Sequence, residues 1–333
     1  MPLRDRSLTI FVARLLMVSS LGSTVLAAEP TTDIALNRAE QLAGNDSLMA
    51  GAMILCDPHP DIQAAMRQPN PPATKVFDNL YFLGTGLVSS WAFHNSSGTI
   101  LIDTLDNSDE AEKFILGGMA KFGLKPSDVK FIVITHGHGD HYGGANRLLQ
   151  SMPNAKVVMS AVDEAYARDR KPAAKAYPNM HAQVSVPHVD LYTRDGQKLI
   201  LGNETVRIYS TPGHTPGTIS LVFKVTQGQN SHTAVLMGGS ASFGLSPKDL
   251  GVYKASVAKL AQIAKQTRAD VFLSNHPMLD LTPRNIALLS TAKDHPNPYV
   301  VGPERLARYF EIVNECAQYH LDRKTEKVTS LVK

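Results

Sequence analysis

The sequence predicts an α/β fold. Three observations predict it: short β-type apolar runs alternate with helical patterns along most of the chain, 43% of the 333 residues are hydrophobic, and only 19% are charged. Such a chain can bury a full core, as one large or two small domains.

Residues 1–27 read as a secretory signal. Arg4 and Arg6 precede an apolar stretch from Leu15 to Leu26, interrupted upstream by Arg14, and the small residues Val25 and Ala27 stand at the cleavage positions. No later segment reaches the roughly 20 apolar residues a membrane span requires. The expectation is a cleaved leader and a soluble, periplasmic or secreted product.

From Thr31 to about Leu55 the pattern is weakly helical, and Gln68-Pro69-Asn70-Pro71-Pro72 breaks it, so 28–75 reads as an N-terminal extension and 76–333 as the main domain. Strand-like runs follow at 80–83, 88–93 and 99–103, the pattern of an antiparallel meander. Helix is expected at 109–122, a buried strand at 130–134, helix at 142–150 and strand at 155–159. The polar stretch 168–186 lacks periodicity and is long for a connection, which reads as a lid, a binding loop or a plain surface excursion. Strands are expected again at 198–201, 205–210, 219–225 and 234–237. Val252, Ala255, Leu260, Ala261 and Ala264 then mark a helix, and 270–273 a last strand. A closing helix from Pro303 lines up Leu306, Tyr309, Phe310, Val313 and Cys316, which puts Cys316 in the core rather than at a catalytic position.

Charge and cysteine content narrow the function. The formal charge is +3, and the leader carries three arginines against Asp5, so the chain without it is near +1. That leaves no basic field for a nucleic-acid backbone, and a small-molecule enzyme is the better expectation. Cys56 and Cys316 are too few for a cysteine-built zinc site, and their pairing is open at this stage. A bound metal must be held by histidines and carboxylates.

The informative segment is Thr135-His136-Gly137-His138-Gly139-Asp140-His141-Tyr142-Gly143-Gly144, at the end of the strand run 131–134. Positions two apart in an extended tip point the same way, so His136 and His138 can share one ion, while the turn into the next helix re-aims Asp140 and His141 at a second. A catalytic zinc takes three protein ligands and keeps one open position. His214, in the rigid turn Thr211-Pro212-Gly213-His214-Thr215-Pro216-Gly217, is placed to complete the first set, and His276, after the apolar run 271–273, the second.

These residues resemble the metallo-β-lactamase superfamily, through the His-x-His-x-Asp-His cluster, the Gly-His-Thr-Pro-Gly turn and the terminal His after a strand, over about 76–289. The resemblance implies a four-layer αβ/βα sandwich with two zinc ions at one edge of the facing sheets: His136, His138 and His214 on one, Asp140, His141 and His276 on the other. Within the superfamily, glyoxalase-like thioesterases and many lactonases carry a metal-bridging Asp, and first-subclass lactamases a Cys, where this chain has Ser240. That pattern is similar to the third subclass of metallo-β-lactamases, whose serines near this position hold the substrate carboxylate; Ser240 and Ser242 match them. The cluster keeps the general superfamily wording, and Thr104 replaces the common Gly after Asp103.

The expected reaction is opening of a β-lactam amide by a hydroxide held between two zinc ions, with Asp140 orienting it and no covalent enzyme intermediate; the expected partner is a small-molecule substrate, with no nucleic acid or membrane, and the oligomeric state is open. The rivals are a lactonase or thioesterase on the same scaffold, and a non-catalytic zinc-binding protein. Ser127-Asp128-Val129-Lys130 matches the Ser-x-x-Lys of serine β-lactamases, but it precedes a strand and has no companion motifs. The sequons at Asn95 and Asn203 are weak signals.

Overall fold

The computed structural model describes residues 31–56, 68–169, 184–242, 244–291 and 296–331. The expected leader, and most of the stretch expected as a lid, lie outside the described residues.

Two sheets face each other. The first runs β1 (Thr74–Phe77), β2 (Leu80–Phe82), β3 (Trp91–Asn95), β4 (Gly98–Ile102), β5 (Val129–Val133), β6 (Lys156–Met159) and β7 (Leu191–Tyr192), in that order. Pairing is antiparallel from β1 to β4, as the expected meander requires, and parallel from β4 to β7. The second sheet has β12 (Val271–Ser274), β11 (Asn230–Met237), β10 (Ile219–Gln227), β9 (Glu204–Ser210) and β8 (Lys198–Leu201), with only β11–β12 parallel.

Side chains alternate across each strand, so one strand serves two cores. Ile100 and Ile102 of β4 pack between the sheets with Leu221, Phe223 and Val225 of β10, whereas Leu101 faces the outer helices. On that outer side lie α3 (Ser108–Glu110, continuing through a π-helical stretch Ala111–Leu116 into Gly117–Lys121), α4 (Gly139–Tyr142), α5 (Ala145–Leu149) and α6 (Ala161–Asp169). On the far side of the second sheet, α1 (Thr31–Ala43), α2 (Ser47–Met53), α7 (Pro247–Thr267) and α9 (Pro303–Leu331) share one core with Val222, Val235 and Phe272. α8 (Thr282–Thr291) follows β12. Two sheets between two helical layers make the αβ/βα sandwich of the metallo-β-lactamase fold.

The segment 31–56 is built into the fourth layer. Asp46 pairs with Arg305 and Arg308 of α9, and Cys56 forms a disulfide with Cys316 across 260 residues of chain. Cys316 is fully buried on α9, beside Leu306, Tyr309, Phe310 and Val313. The expected helix 142–150 is divided into α4 and α5, because Gly143 and Gly144 press on the preceding loop. A Cβ on Gly143 would lie 1.9 Å from the Asp106 carbonyl oxygen. Two helices escaped the sequence reading: α6, where Asp163 occupies a buried position, and α8. Ser127 is exposed in a 3-10 turn and Lys130 is exposed on β5, which gives the Ser-x-x-Lys match no buried setting.

Candidate metal centre

The cluster begins where β5 ends. Thr135 donates its N–H to Asp103 Oδ1 at 2.8 Å and its hydroxyl to Oδ2 at 2.8 Å, and its carbonyl accepts from Ile219 N at 2.9 Å. Both sheets therefore hold the first residue of the loop. The chain stays extended at His138 (φ −91°, ψ 144°) and then turns into α4, which carries Asp140 and His141 on a single helical turn. His214 sits between β9 and β10. Gly213 before it adopts φ +131° and packs so closely on α7 that a Cβ would lie 2.5 Å from Tyr253 Cα, which only glycine allows. His276 follows β12, and its N–H donates to Ser274 Oγ at 3.1 Å.

The structure brings the six residues into two groups. The ligand atoms of His136, His138 and His214 lie within 4.8 Å of one another, and so do those of Asp140, His141 and His276. The groups are neighbours: the His136 and His141 rings are 4.0 Å apart between centroids. His136 and His141 are buried, as are Asp140 and His276.

Proton positions decide what the first group can hold. His136 Nε2, His138 Nδ1 and His214 Nε2 form a triangle with every edge 3.1 Å. Each nitrogen either carries a proton or presents a lone pair, and a three-membered ring cannot alternate the two. At least one edge therefore pairs like with like, whatever the tautomers. His214 Nδ1 faces the Ala241 carbonyl at 2.8 Å and must donate to it, so His214 Nε2 presents its lone pair. Burial holds the His136 pKa well below the ordinary imidazole value and lowers that of His214 to about 4, so both rings are neutral. Convergent neutral imidazole lone pairs suit a divalent cation.

The second group is built the same way. His276 Nδ1 donates to the Leu87 carbonyl at 2.8 Å and His141 Nδ1 to Asp103 Oδ2 at 2.8 Å, which leaves each Nε2 for the site. His276 is lowered by burial. Burial also opposes charge on His141, but the carboxylates of Asp140 and Asp103 outweigh it and push the pKa up to about 10. His141 Nε2 is buried with no hydrogen-bond partner, 3.3 Å from Asp140 Oδ2. A cation there would replace the proton and satisfy the orphaned nitrogen. The residues present fit a metal at both groups.

Ser240 and Ser242 flank the Ala241 carbonyl that fixes His214. Both are buried: Ser240 Oγ lies 3.3 Å from Ser274 Oγ, and Ser242 Oγ has no partner. Sequence reasoning passed over several residues around the ligands. Asp103, an acid closing an apolar strand run, carried a signal; Thr135 and Asp163 carried none. Asn275, whose side chain reaches Thr135 Oγ1 at 3.1 Å, and Tyr166, whose hydroxyl lies 3.4 Å from His138 Nε2, are visible only in the fold.

Residues 83–227 match the family model described as the metallo-beta-lactamase superfamily. Among solved structures, a subclass B3 metallo-beta-lactamase of Bradyrhizobium japonicum superposes with a TM-score of 0.61 at 25% identity, over 81% of this chain and 100% of that one. Two curated relatives are similar in sequence. A hydroxyacylglutathione hydrolase of Francisella tularensis subsp. novicida is 31% identical over 43% of this chain and 46% of its own length. A beta-lactamase-like protein 2 homolog of Caenorhabditis elegans is 27% identical over 63% of this chain and 59% of its own. The chain thus spans about half the length of the curated relatives it matches.

Proposed function

We propose that this chain is an exported, two-zinc hydrolase that opens the amide of a β-lactam ring, in the manner of the third metallo-β-lactamase subclass. One observation carries the reading. The three-histidine and Asp-His-His groups stand side by side, Asp140 is the one carboxylate in either group among the described residues, and Ser240, in the loop that follows β11, takes the place of the bridging Asp of the related thioesterases. The subclass B3 structural neighbour supports it.

Zinc held at these groups would supply Lewis acidity and ionise a bound water near neutral pH. The protein's part is to hold and to orient. The histidines are held by hydrogen bonds to their outer nitrogens, and Asp140, a member of the second group, orients the attacking water. Ser240 and Ser242 enter as the hydroxyls that meet the substrate carboxylate, the unpartnered Ser242 hydroxyl being the one with bonding capacity to spare. Export fits the Cys56–Cys316 disulfide, since such bonds persist in oxidising compartments.

A second reading, a lactonase or thioesterase, is favoured by the hydroxyacylglutathione hydrolase relatives and the general wording of the cluster, and opposed by Ser240. The zinc-loaded protein should be given a penicillin, a cephalosporin, a carbapenem, an acyl-homoserine lactone and a glutathione thioester. Faster opening of a β-lactam than by free zinc supports the first reading. Preference for the lactone or thioester establishes the second, and two bound zinc ions with no turnover would leave a non-catalytic zinc protein.

A further inference from the structure

The two loops that supply the three-histidine group come from different sheets, and nothing in their sequences ties one to the other. The tie is in α6. Asp163 is fully buried on its first turn, and its carboxylate accepts three hydrogen bonds: Gly137 N–H to Oδ2 at 2.8 Å, Thr215 hydroxyl to Oδ2 at 2.6 Å, and Gly217 N–H to Oδ1 at 2.6 Å. Gly137 lies between His136 and His138; Thr215 directly follows His214. One carboxylate therefore clamps the backbone beside all three imidazoles. Asp163 makes no hydrogen bond to α4 or to the His276 loop among the described residues.

The geometry points to Asp163 as a positioning residue for the three-histidine site: it holds the His136–His138 loop and the His214 loop at the spacing one ion requires, and it acts on that site and not on the Asp-His-His site. The inference rests on the metal reading above. Its physical basis is preorganisation. A buried carboxylate must be bonded, and here every donor available to it belongs to one of the two loops, so separating them exposes an unpaired charge to a dry interior. Asn at this position keeps the volume but offers one acceptor in place of two, and turns an N–H group toward one of the loop donors.

The test measures zinc affinity directly, by competition with a chromophoric chelator, on the full chain. Two backgrounds separate the sites: His276→Ala leaves the three-histidine group complete, and His214→Ala leaves the Asp-His-His group complete. Asp163→Asn is expected to weaken zinc binding by roughly 10- to 100-fold in the first background and to leave the second unchanged. Unchanged affinity in both, or an equal loss in both, overturns the proposal. Should Asp163→Asn fail to fold without metal, Thr215 decides. Thr215→Val removes one donor and should weaken the three-histidine site, whereas Thr215→Ser keeps the hydroxyl and should bind as the parent does; Val and Ser variants of equal affinity overturn the clamp. A parent chain that takes up no zinc overturns the metal reading itself, and the proposal with it.

Discussion

Asp103 holds His141: its Oδ2 accepts the Nδ1 proton at 2.8 Å while both its oxygens accept from Thr135, and Asp103 adopts φ +58° to reach them. A left-handed backbone costs a non-glycine residue about 1 kcal/mol or more, so this position stores strain for the sake of the ring it aims. We expect Asp103→Asn to weaken the ion at the Asp-His-His group roughly 10- to 100-fold, because an amide cannot accept from three donors. Asp103→Gly should relieve the strain, yet lose the ion as well. Chelator competition beside thermal unfolding of the metal-free variants checks both; a Gly variant that keeps parental affinity contradicts the role.

In the proposed mechanism Asp140 combines ligation with orientation of water. Asp140→Ala should cost on the order of 100-fold or more in turnover of whichever substrate the parent opens, with the metal-free unfolding temperature nearly unchanged. Dialysis against a chelator should abolish the parent's activity, and zinc should restore it. Parental turnover by Asp140→Ala in zinc-replete buffer refutes the assignment.

Gly143 lets α4 sit against the loop after β4. Its added Cβ would meet the Asp106 carbonyl oxygen, part of the backbone, so relief requires moving the turn that carries Asp140 and His141. Gly143→Ala should destabilise the protein by about 1–3 kcal/mol and lower zinc affinity at the same time. Urea unfolding with and without zinc measures the two effects.

The disulfide closes nearly the whole chain. In the chain-entropy view, a loop spanning 260 residues is worth up to about 5 kcal/mol through the unfolded state. Reductant should therefore lower the denaturation midpoint of the parent and leave Cys316→Ser unaffected. An equal response in both proteins argues against the bond.

Asp280 gives a pH dependence away from the ligands. Burial raises its carboxyl from 3.8 to about 7, although it accepts from the N–H groups of Ser274 and Thr282. The folded chain then keeps a proton that the unfolded chain has released between about pH 4 and 7, so this group's contribution falls as pH rises through that window, by at most about 1.4 kcal/mol per unit. The stability of Asp280→Asn relative to the parent should accordingly increase from pH 4.5 to 6.5 in chelator-treated samples. A difference that stays flat contradicts the raised pKa.

Legibility in the sequence followed periodicity. β4 and β10 were readable as short apolar runs, because both faces of each strand are buried, and α9 because the Leu306–Cys316 face repeats at helical spacing. α6 was not, since its buried face is supplied by Asp163 and Ala167 rather than by large apolar residues. The same holds at the site. Ligand types and their spacing were legible; the oxygens of Asp103, Leu87 and Ala241 that set the tautomers belong to loops far away in the chain.

What the sequence determined by itself is the inventory: six side chains of metal-ligating type, placed in turns and helix starts that follow strands, on a chain patterned for alternating strands and helices. The tertiary structure alone decided their partners. Which nitrogen of each ring turns inward, which serine is left with an unmade bond, and which buried acid joins two loops are consequences of sheet packing, because hydrogen bonds between distant segments have no period along the chain.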